Sequence, residues 1–96
     1  MRTTLIIRHR VGDFDAWRAV YEGFAPNQAA GGVRSQMARR RADDPADVVV
    51  THTFDSREAA EAYLGDRTLK EAMAAATVDD ATVTVEFFDE VVPVTS

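Results

Sequence analysis

An alternating strand followed directly by an aromatic helix, within residues 3–24, constrains the fold more than any other segment. Residues 3–11 predict the strand, because their side chains alternate between two faces. One face carries Leu5, Ile7, His9 and Val11. Gly12 ends the strand, and Asp13 suits a helix N-cap because its carboxylate can accept a hydrogen bond from a free helix N–H. The helix that follows has one aromatic stripe, formed by Phe14, Trp17, Tyr21 and Phe24.

Two further strands form a predicted hairpin in the middle of the chain. They cover residues 33–42 and 48–54, and the segment 43–47 between them has the composition of a turn. In the second strand, one face carries Val48, Val50, His52 and Phe54. A last strand is predicted over residues 81–92, ended by Pro93, which cannot donate a ladder hydrogen bond.

The helices are bounded by residues with known capping and breaking behaviour. Pro26 is expected to end or kink the first helix between Gly23 and Ala25, because proline lacks an N–H. The second helix is expected to begin at residues 55–58, whose sequence Asp-Ser-Arg-Glu resembles a capping box. Gly65-Asp66 interrupts this helix, and a short second piece continues to Ala76.

The element order is β-α-β-β-α-β, which predicts a ferredoxin-like α+β fold with residues 1–96 in a single domain. Right-handed crossovers place two helices on one face of a four-stranded antiparallel sheet. The strands also carry apolar residues on the other face, such as Ile6 and Val49. Because two helices cover only one face, the remaining apolar surface predicts a homodimer packed sheet to sheet.

Composition narrows the class of protein further. A domain of 96 residues buries a modest share of its surface, and the absence of cysteine removes disulfides as a source of stability. A net charge of −5 disfavours nucleic acid as a partner, and the basic run Arg39-Arg40-Arg41 is interpreted as a solvated strand end. No stretch has the apolar length of a signal peptide or a membrane span, so a cytoplasmic protein without a membrane partner is expected.

Five short motifs resemble the dimeric α+β barrel superfamily and, within it, the antibiotic-biosynthesis-monooxygenase-like group. They lie at residues 8–11, 13–17, 43–45, 54–59 and 69–73. The resemblance covers nearly the whole chain and implies a ligand site between the helices and the sheet of each protomer. Members of the superfamily include cofactor-free oxygenases of phenolic polyketides, haem-degrading enzymes, isomerases and proteins with no assigned activity.

The same resemblance disfavours haem degradation. Haem-degrading members use an Asn, a Trp on a strand and a His on the second helix. Here Trp17 lies on the first predicted helix, the only Asn is Asn27, and the second helix has no His. No catalytic residue of the quinone-forming oxygenases maps onto this chain either.

His9 and His52 are the candidate catalytic residues. Each shares a strand face with apolar neighbours, and if that face points toward the helices, both reach the cleft under Trp17 and Tyr21 without touching each other. A neutral His in an apolar pocket can act as a general base near pH 7, because burial lowers its pKa. A cofactor-free oxygenase needs such a base to convert a phenol into an oxygen-reactive phenolate. The alternative is a histidine hydrogen-bonded to backbone or to Tyr in a structural role.

The aromatic stripe is the candidate substrate-binding wall. Trp17, Tyr21 and Phe24 can stack on a planar ligand, or they can simply fill the core. Further candidates on other elements are Tyr63, Phe88, Glu86 and Met37. Glu86 is either an acid or the partner of Arg8, although a rim position is the simpler interpretation.

Other catalytic patterns are absent from the sequence. The histidines and carboxylates lack metal-ligand spacing, and the serines do not lie in a nucleophile elbow. We therefore predict an enzyme without a metal or organic cofactor, resembling cofactor-free monooxygenases or cyclases that act on aromatic or polyketide-like substrates. A non-catalytic ligand-binding protein and a structural dimeric module remain open.

Overall fold

The computed structural model describes residues 1–92, which form four strands and four short helices in alternating groups. In chain order these are β1 (Thr3–Val11), α1 (Phe14–Gly23), α2 (Ala25–Ala30), β2 (Ser35–Arg41), β3 (Asp44–Phe54), α3 (Arg57–Leu64), α4 (Arg67–Ala75) and β4 (Val78–Asp89). Each expected helical segment is therefore a pair of helices. Pro93, predicted to end the last strand, lies outside the described residues.

The four strands form one antiparallel sheet with the order β2-β3-β1-β4. The central strand β1 pairs with β3 and β4, so that Leu5 lies between His52 and Phe87. This order confirms the ferredoxin-like fold, in which the two strands joined by each helical crossover, β1 with β2 and β3 with β4, are not neighbours in the sheet.

Side-chain caps begin three of the helices. Asp13 Oδ1 accepts a hydrogen bond from the Ala16 N–H at 3.2 Å, and Ser56 Oγ accepts one from Ala59 at 3.2 Å. Asp66 caps α4 in the same way. These bonds satisfy amides that have no partner inside the helix, and they confirm the starts predicted at Asp13 and within residues 55–58.

Pro26 does not simply terminate the first helical segment. The helix α1 ends at Gly23, as predicted, but Pro26 then lies in the first turn of α2. Proline is tolerated there because the N–H it lacks would have no partner within the helix. The chain thus turns at Phe24 and remains helical for another six residues.

The predicted turn at residues 43–47 was wrong for most of its length, because β3 already begins at Asp44. Asp47 is part of this strand, where its carboxylate accepts hydrogen bonds from Arg8 and Arg41. The pairing slips between Arg40 and Arg41, and such an irregularity accommodates extra residues in one strand of a hairpin. Ion pairing with neighbouring strands therefore extends a segment whose composition is typical of turns.

The last strand, β4, begins and ends three residues earlier than predicted. Its pairing with β1 shifts between Arg8 and Arg10. The irregular stretch is held by Thr82, whose hydroxyl accepts a hydrogen bond from the Arg10 N–H at 2.9 Å and donates to the Asp79 carbonyl at 2.7 Å. At this bulge, hydrogen bonds of the Thr82 side chain take the place of backbone hydrogen bonds between the strands. Polar residues can therefore begin the strand.

The core lies between the helices and one face of the sheet. It consists of two clusters of buried residues: Leu5, Ile7, Phe54, Ala60, Tyr63 and Leu69, and Val11, Trp17, Val48, Val50 and Ala76. The opposite face, called the outer face here, carries Met37 and Phe88, each 51% exposed. No helix within residues 1–92 is both long and apolar enough to span a bilayer.

Candidate functional site

A small cavity of about 50 Å³ lies between the helices α1, α2, α3 and α4 and the inner face of the sheet. Six of the nine candidate residues named from the sequence line it: His9, Trp17, Tyr21, Phe24, His52 and Tyr63. The structure therefore brings the proposed base candidates and most of the aromatic wall to one place.

Stacked rings form the wall of this cavity along α1. The centroids of Trp17 and Tyr21 are 4.8 Å apart with planes 17° from parallel, and the ring of Phe14 stacks with that of Trp17 at a centroid distance of 5.7 Å. On the floor, His52 meets the edge of Tyr63 at 5.6 Å. Rings at these distances gain stacking energy, so the wall is a preorganised surface.

His9 is held by Trp17. The indole Nε1–H donates to His9 Nε2 at 3.1 Å, and both side chains are buried. Burial lowers the pKa of His9, and the charge of Asp47 opposes this only in part. His9 is consequently neutral near pH 7, with one ring nitrogen already occupied as an acceptor.

His52 lies beside the hydroxyl of Tyr21. Its Nε2 is 3.4 Å from Tyr21 Oη, which donates in turn to Gln36 Oε1 at 2.5 Å. Burial lowers the pKa of His52 to about 4 and raises the pKa of Tyr21 to about 12. Both groups are therefore uncharged at neutral pH, and His52 keeps a free lone pair.

The two histidines have separate partners. The register pairs His9 with Val48 and His52 with Leu5, so the rings lie four positions apart along the β1–β3 pair. At about 3.3 Å per residue, their backbones are about 13 Å apart along the strands. Both line the cavity at separate positions, and the expectation that they do not touch agrees with this register.

Gln28, on α2, is the polar cavity residue that the sequence analysis missed. It is 2% exposed and lines the cavity together with Tyr21 and Tyr63, whose pKa values are raised by burial. A signal was present, because Gln28 follows Phe24 by four residues and continues the inward stripe of α1. The expectation that Pro26 ends the helix concealed it.

Several residues that line the cavity have buried polar atoms without a hydrogen-bond partner. Within residues 1–92, four buried side-chain atoms have no hydrogen-bond partner in the protein: His9 Nδ1, Gln28 Oε1, His52 Nδ1 and the Tyr63 hydroxyl. All four belong to residues that line this one cavity. Buried polar atoms are normally paired, so their concentration here indicates a place for water or a ligand.

Phe88, Glu86 and Met37 are not part of this site. Phe88 alternates with the inner-facing Phe87 in β4 and lies on the outer face, as does Met37. Arg8 pairs with Asp47 at 2.6 Å rather than with Glu86. The structure therefore separates Phe88 from the other predicted substrate-binding residues.

The basic run has the predicted alternation. The guanidinium of Arg40 lies 4.3 Å above the ring centroid of Phe14, on the helix side. Arg39 and Arg41 lie on the outer face, where Arg41 donates to Asp47 at 2.8 Å. Arg8 and Arg41 together hold the pKa of Asp47 well below its usual range. Within residues 1–92, no group of three or more His, Asp or Glu side chains is arranged to hold a metal ion.

Comparison with known proteins identifies the fold. No family model matches the chain, and no curated protein matches its sequence. A mutant of SnoaB, a cofactor-independent oxygenase from Streptomyces nogalater, has a TM-score of 0.75 and 18% identity, with 99% of this chain and 98% of that chain covered. A Bordetella bronchiseptica protein provisionally named as an antibiotic biosynthesis monooxygenase has a TM-score of 0.80 and 11% identity, covering 95% and 98%.

Rv0793 from Mycobacterium tuberculosis is a third similar structure, with a TM-score of 0.73, 21% identity and coverage of 99% of this chain and 100% of that chain. These likenesses extend over almost the full length of each chain, at identities that define architecture and not activity. The chain has the ferredoxin-like fold of these structures, and structures named as antibiotic biosynthesis monooxygenases are among those that share it, in agreement with the resemblance seen in its sequence.

Proposed function

We propose that this protein is a cofactor-independent oxygenase of an electron-rich aromatic small molecule, with His52 as the general base. The observation that carries the proposal is the neutral, buried His52, whose Nδ1 has no partner and whose ring lies in a cavity walled by aromatics. SnoaB, which shares the fold, is named a cofactor-independent oxygenase. His9 is the weaker candidate for the base, because Trp17 already donates to its Nε2.

The chemistry follows from the proton acceptor. His52 Nδ1 takes the proton of a phenolic O–H, and the electron pair stays on the ring as a phenolate. The phenolate reduces O₂ by four electrons, so that one oxygen atom enters the product as a quinone carbonyl and the other leaves as water. Substrate and O₂ balance this reaction without an external reductant. The low pKa keeps His52 unprotonated at neutral pH, and binding in an apolar cavity brings the phenol within its reach.

The cavity must widen to admit such a substrate. Its 50 Å³ is far below the roughly 300 Å³ or more of typical ligand pockets. The proposed mouth lies along α4 and the C-terminal end of α1, because the lining residues Val20, Phe24, Ala72 and Met73 are half-buried. Met73 is unbranched and can change rotamer at low cost, so it is the proposed gate.

The proposal includes a homodimer formed through the outer face. Its side chains include the half-buried Ile6 and Val49 and the half-exposed Met37 and Phe88, an apolar group that a second sheet would cover. A domain of this size gains stability from such burial. A cytoplasmic location is also part of the proposal, and cell fractionation tests it.

Oxygen uptake tests the function. Purified protein is incubated with dihydroxynaphthalenes and anthrones in an oxygen electrode, and the quinone product is followed by absorbance. We expect turnover by the wild type and at least a 100-fold loss in kcat for His52→Gln, within the usual range for removal of a general base. Thr51→Val, a change on the outer-face neighbour of His52, is the matched control and retains activity.

A non-catalytic ligand-binding protein is the second candidate, supported by the small volume of the cavity. It predicts saturable binding of the same aromatics without oxygen uptake. In that case His52→Gln alters affinity only, and the wild-type protein releases its ligand unchanged. Binding without turnover across the whole panel would refute the oxygenase proposal and support this one.

A further inference from the structure

We propose that His9 is a hydrogen-bond donor to the ligand, fixed in that role by Trp17, and that the cavity selects a ligand with a carbonyl-type acceptor at this end. The inference deepens the proposed function, and it rests on that function for treating the cavity as a ligand site. It gives the two histidines opposite hydrogen-bonding roles.

The role of His9 follows from the chemistry of indole. The Nε1–H of Trp17 can donate a hydrogen bond but cannot accept one. Since it donates to His9 Nε2 at 3.1 Å, that nitrogen must present its lone pair. A neutral imidazole carries one N–H, which must therefore be on Nδ1. This Nδ1–H is buried and has no acceptor in the protein.

His52 has the reverse arrangement. The hydroxyl of Tyr21 donates to Gln36 Oε1, so the oxygen of Tyr21 is left to accept from His52 Nε2. The Nδ1 of His52 then carries the free lone pair and acts as an acceptor. Two identical side chains, on adjacent strands of the same sheet, thus offer a donor at one end of the cavity and an acceptor at the other.

The unpaired His9 donor calls for an acceptor that the protein does not supply. A cavity of about 50 Å³ has room for one or two waters, at roughly 30 Å³ each, which would occupy the site before a ligand binds. A ligand that displaces them must replace their hydrogen bonds to avoid losing affinity. It therefore needs an acceptor toward His9 and a hydroxyl toward His52, on a planar frame elongated along β1 and β3.

This pattern also serves the proposed reaction. When His52 removes a proton from one end of a conjugated ligand, negative charge develops on an oxygen at the other end. The Nδ1–H of His9 stabilises that oxygen, and it does so without protein reorganisation because Trp17 already fixes the ring. His9 is then a catalytic residue that contacts the ligand, and Trp17 is a positioning residue.

Nitrogen-15 NMR tests the tautomers directly. Long-range ¹H–¹⁵N spectra distinguish the two tautomers, and the chain has only two histidines to assign. At pH 7 we expect His9 as the Nδ1–H form and His52 as the Nε2–H form. In Trp17→Phe, which keeps a ring but removes the donor, we expect His9 to become a mixture of tautomers while His52 is unchanged. A His9 that carries its proton on Nε2, or is charged, would overturn the inference.

Calorimetric titration tests the ligand preference. 1-Tetralone is a two-ring ketone that only accepts hydrogen bonds, whereas 1-naphthol is a similar two-ring molecule that donates one. His9→Phe is expected to weaken 1-tetralone binding about tenfold, the loss of one well-formed hydrogen bond, and to change 1-naphthol binding much less. His52→Phe, the same substitution at the other histidine, is the matched control and should show the opposite pattern.

The outcomes separate this inference from the proposed function. Failure of 1-tetralone to bind the wild type, or equal loss for both ligands in His9→Phe, overturns the acceptor preference. If the tautomers and the crossed affinities hold but no aromatic is oxidised, the donor role of His9 stands and the oxygenase proposal fails. If an aromatic is oxidised but His9→Phe and His52→Phe do not show opposite ligand preferences, the oxygenase proposal stands and the donor role of His9 fails.

Discussion

Acid should destabilise this protein through His52, and the magnitude can be worked out from burial. The pKa of His52 is about 4 in the folded protein, against an ordinary value of 6.5 in an unfolded chain. A histidine with a depressed folded pKa contributes stability above pH 6.5, and this contribution is lost as the pH falls toward the folded pKa. Between pH 7.5 and pH 5.0, linkage gives a loss of about 2 kcal/mol in the free energy of unfolding.

The measurement is urea unfolding at both pH values, followed by the fluorescence of Trp17, the only Trp in the chain. Protein concentration is held constant, because a dimer would make stability depend on it. His52→Gln removes the titrating group and should lose about 2 kcal/mol less than the wild type over this interval. The contribution of His9, whose pKa is also lowered, is common to both proteins and cancels.

Val50→Ala is the control for this experiment. Val50 is buried and lines the same cavity but does not titrate, so its substitution should reduce stability equally at both pH values. If wild type and His52→Gln lose the same stability between pH 7.5 and pH 5.0, the pKa of His52 is not depressed. The assignment of a neutral, buried base would then be refuted.

Three further predictions concern the packing, the outer face and the ion pairs. Gly31→Ala places a Cβ 2.8 Å from Tyr63 Cδ1 and should destabilise by about 1–3 kcal/mol in urea unfolding, whereas Gly23→Ala, with nothing within 4 Å, should stabilise slightly; equal effects would contradict the packing argument. Met37→Glu should convert the proposed dimer to monomer in light scattering, and an unchanged mass would argue against this face. Asp47→Asn should lower Tm at pH 7 and progressively less as the pH is taken below the ordinary carboxyl value, because the stabilisation from a lowered pKa is present above the ordinary value and is lost only as the pH falls through the lowered one; a Tm difference that stays constant down to pH 2 would exclude this cause.

Much of the site was predictable because strand alternation is a local property. His9 and His52 were expected on the apolar faces of their strands, and the structure places both against the helices. Trp17 and Tyr21 were expected on one helical stripe, and they stack on each other in the cavity wall. Phe88 was wrongly assigned to the wall. Alternation separates the side chains of β4 into two faces, but it does not by itself show which face points toward the helices.

The predicted boundaries of β3 were wrong because tertiary contacts override the local composition there. Asp44 and Asp47 belong to residue types that favour turns, yet Arg8, Arg10 and Arg41 from other segments hold them in or beside the sheet. No local pattern predicts the pairing with Arg8 and Arg10, because these two residues are distant in sequence from Asp44 and Asp47.

The sequence by itself determined the order of strands and helices and the residues that share each face of β1 and β3. These follow from periodicity and side-chain chemistry, which each segment carries alone. Only the tertiary structure decided that Trp17 donates to His9 while His52 meets Tyr21, and that Gln28 closes the cavity from α2. Hydrogen-bond partners and tautomers depend on distances of a few tenths of an ångström between separate elements, and packing alone fixes those distances.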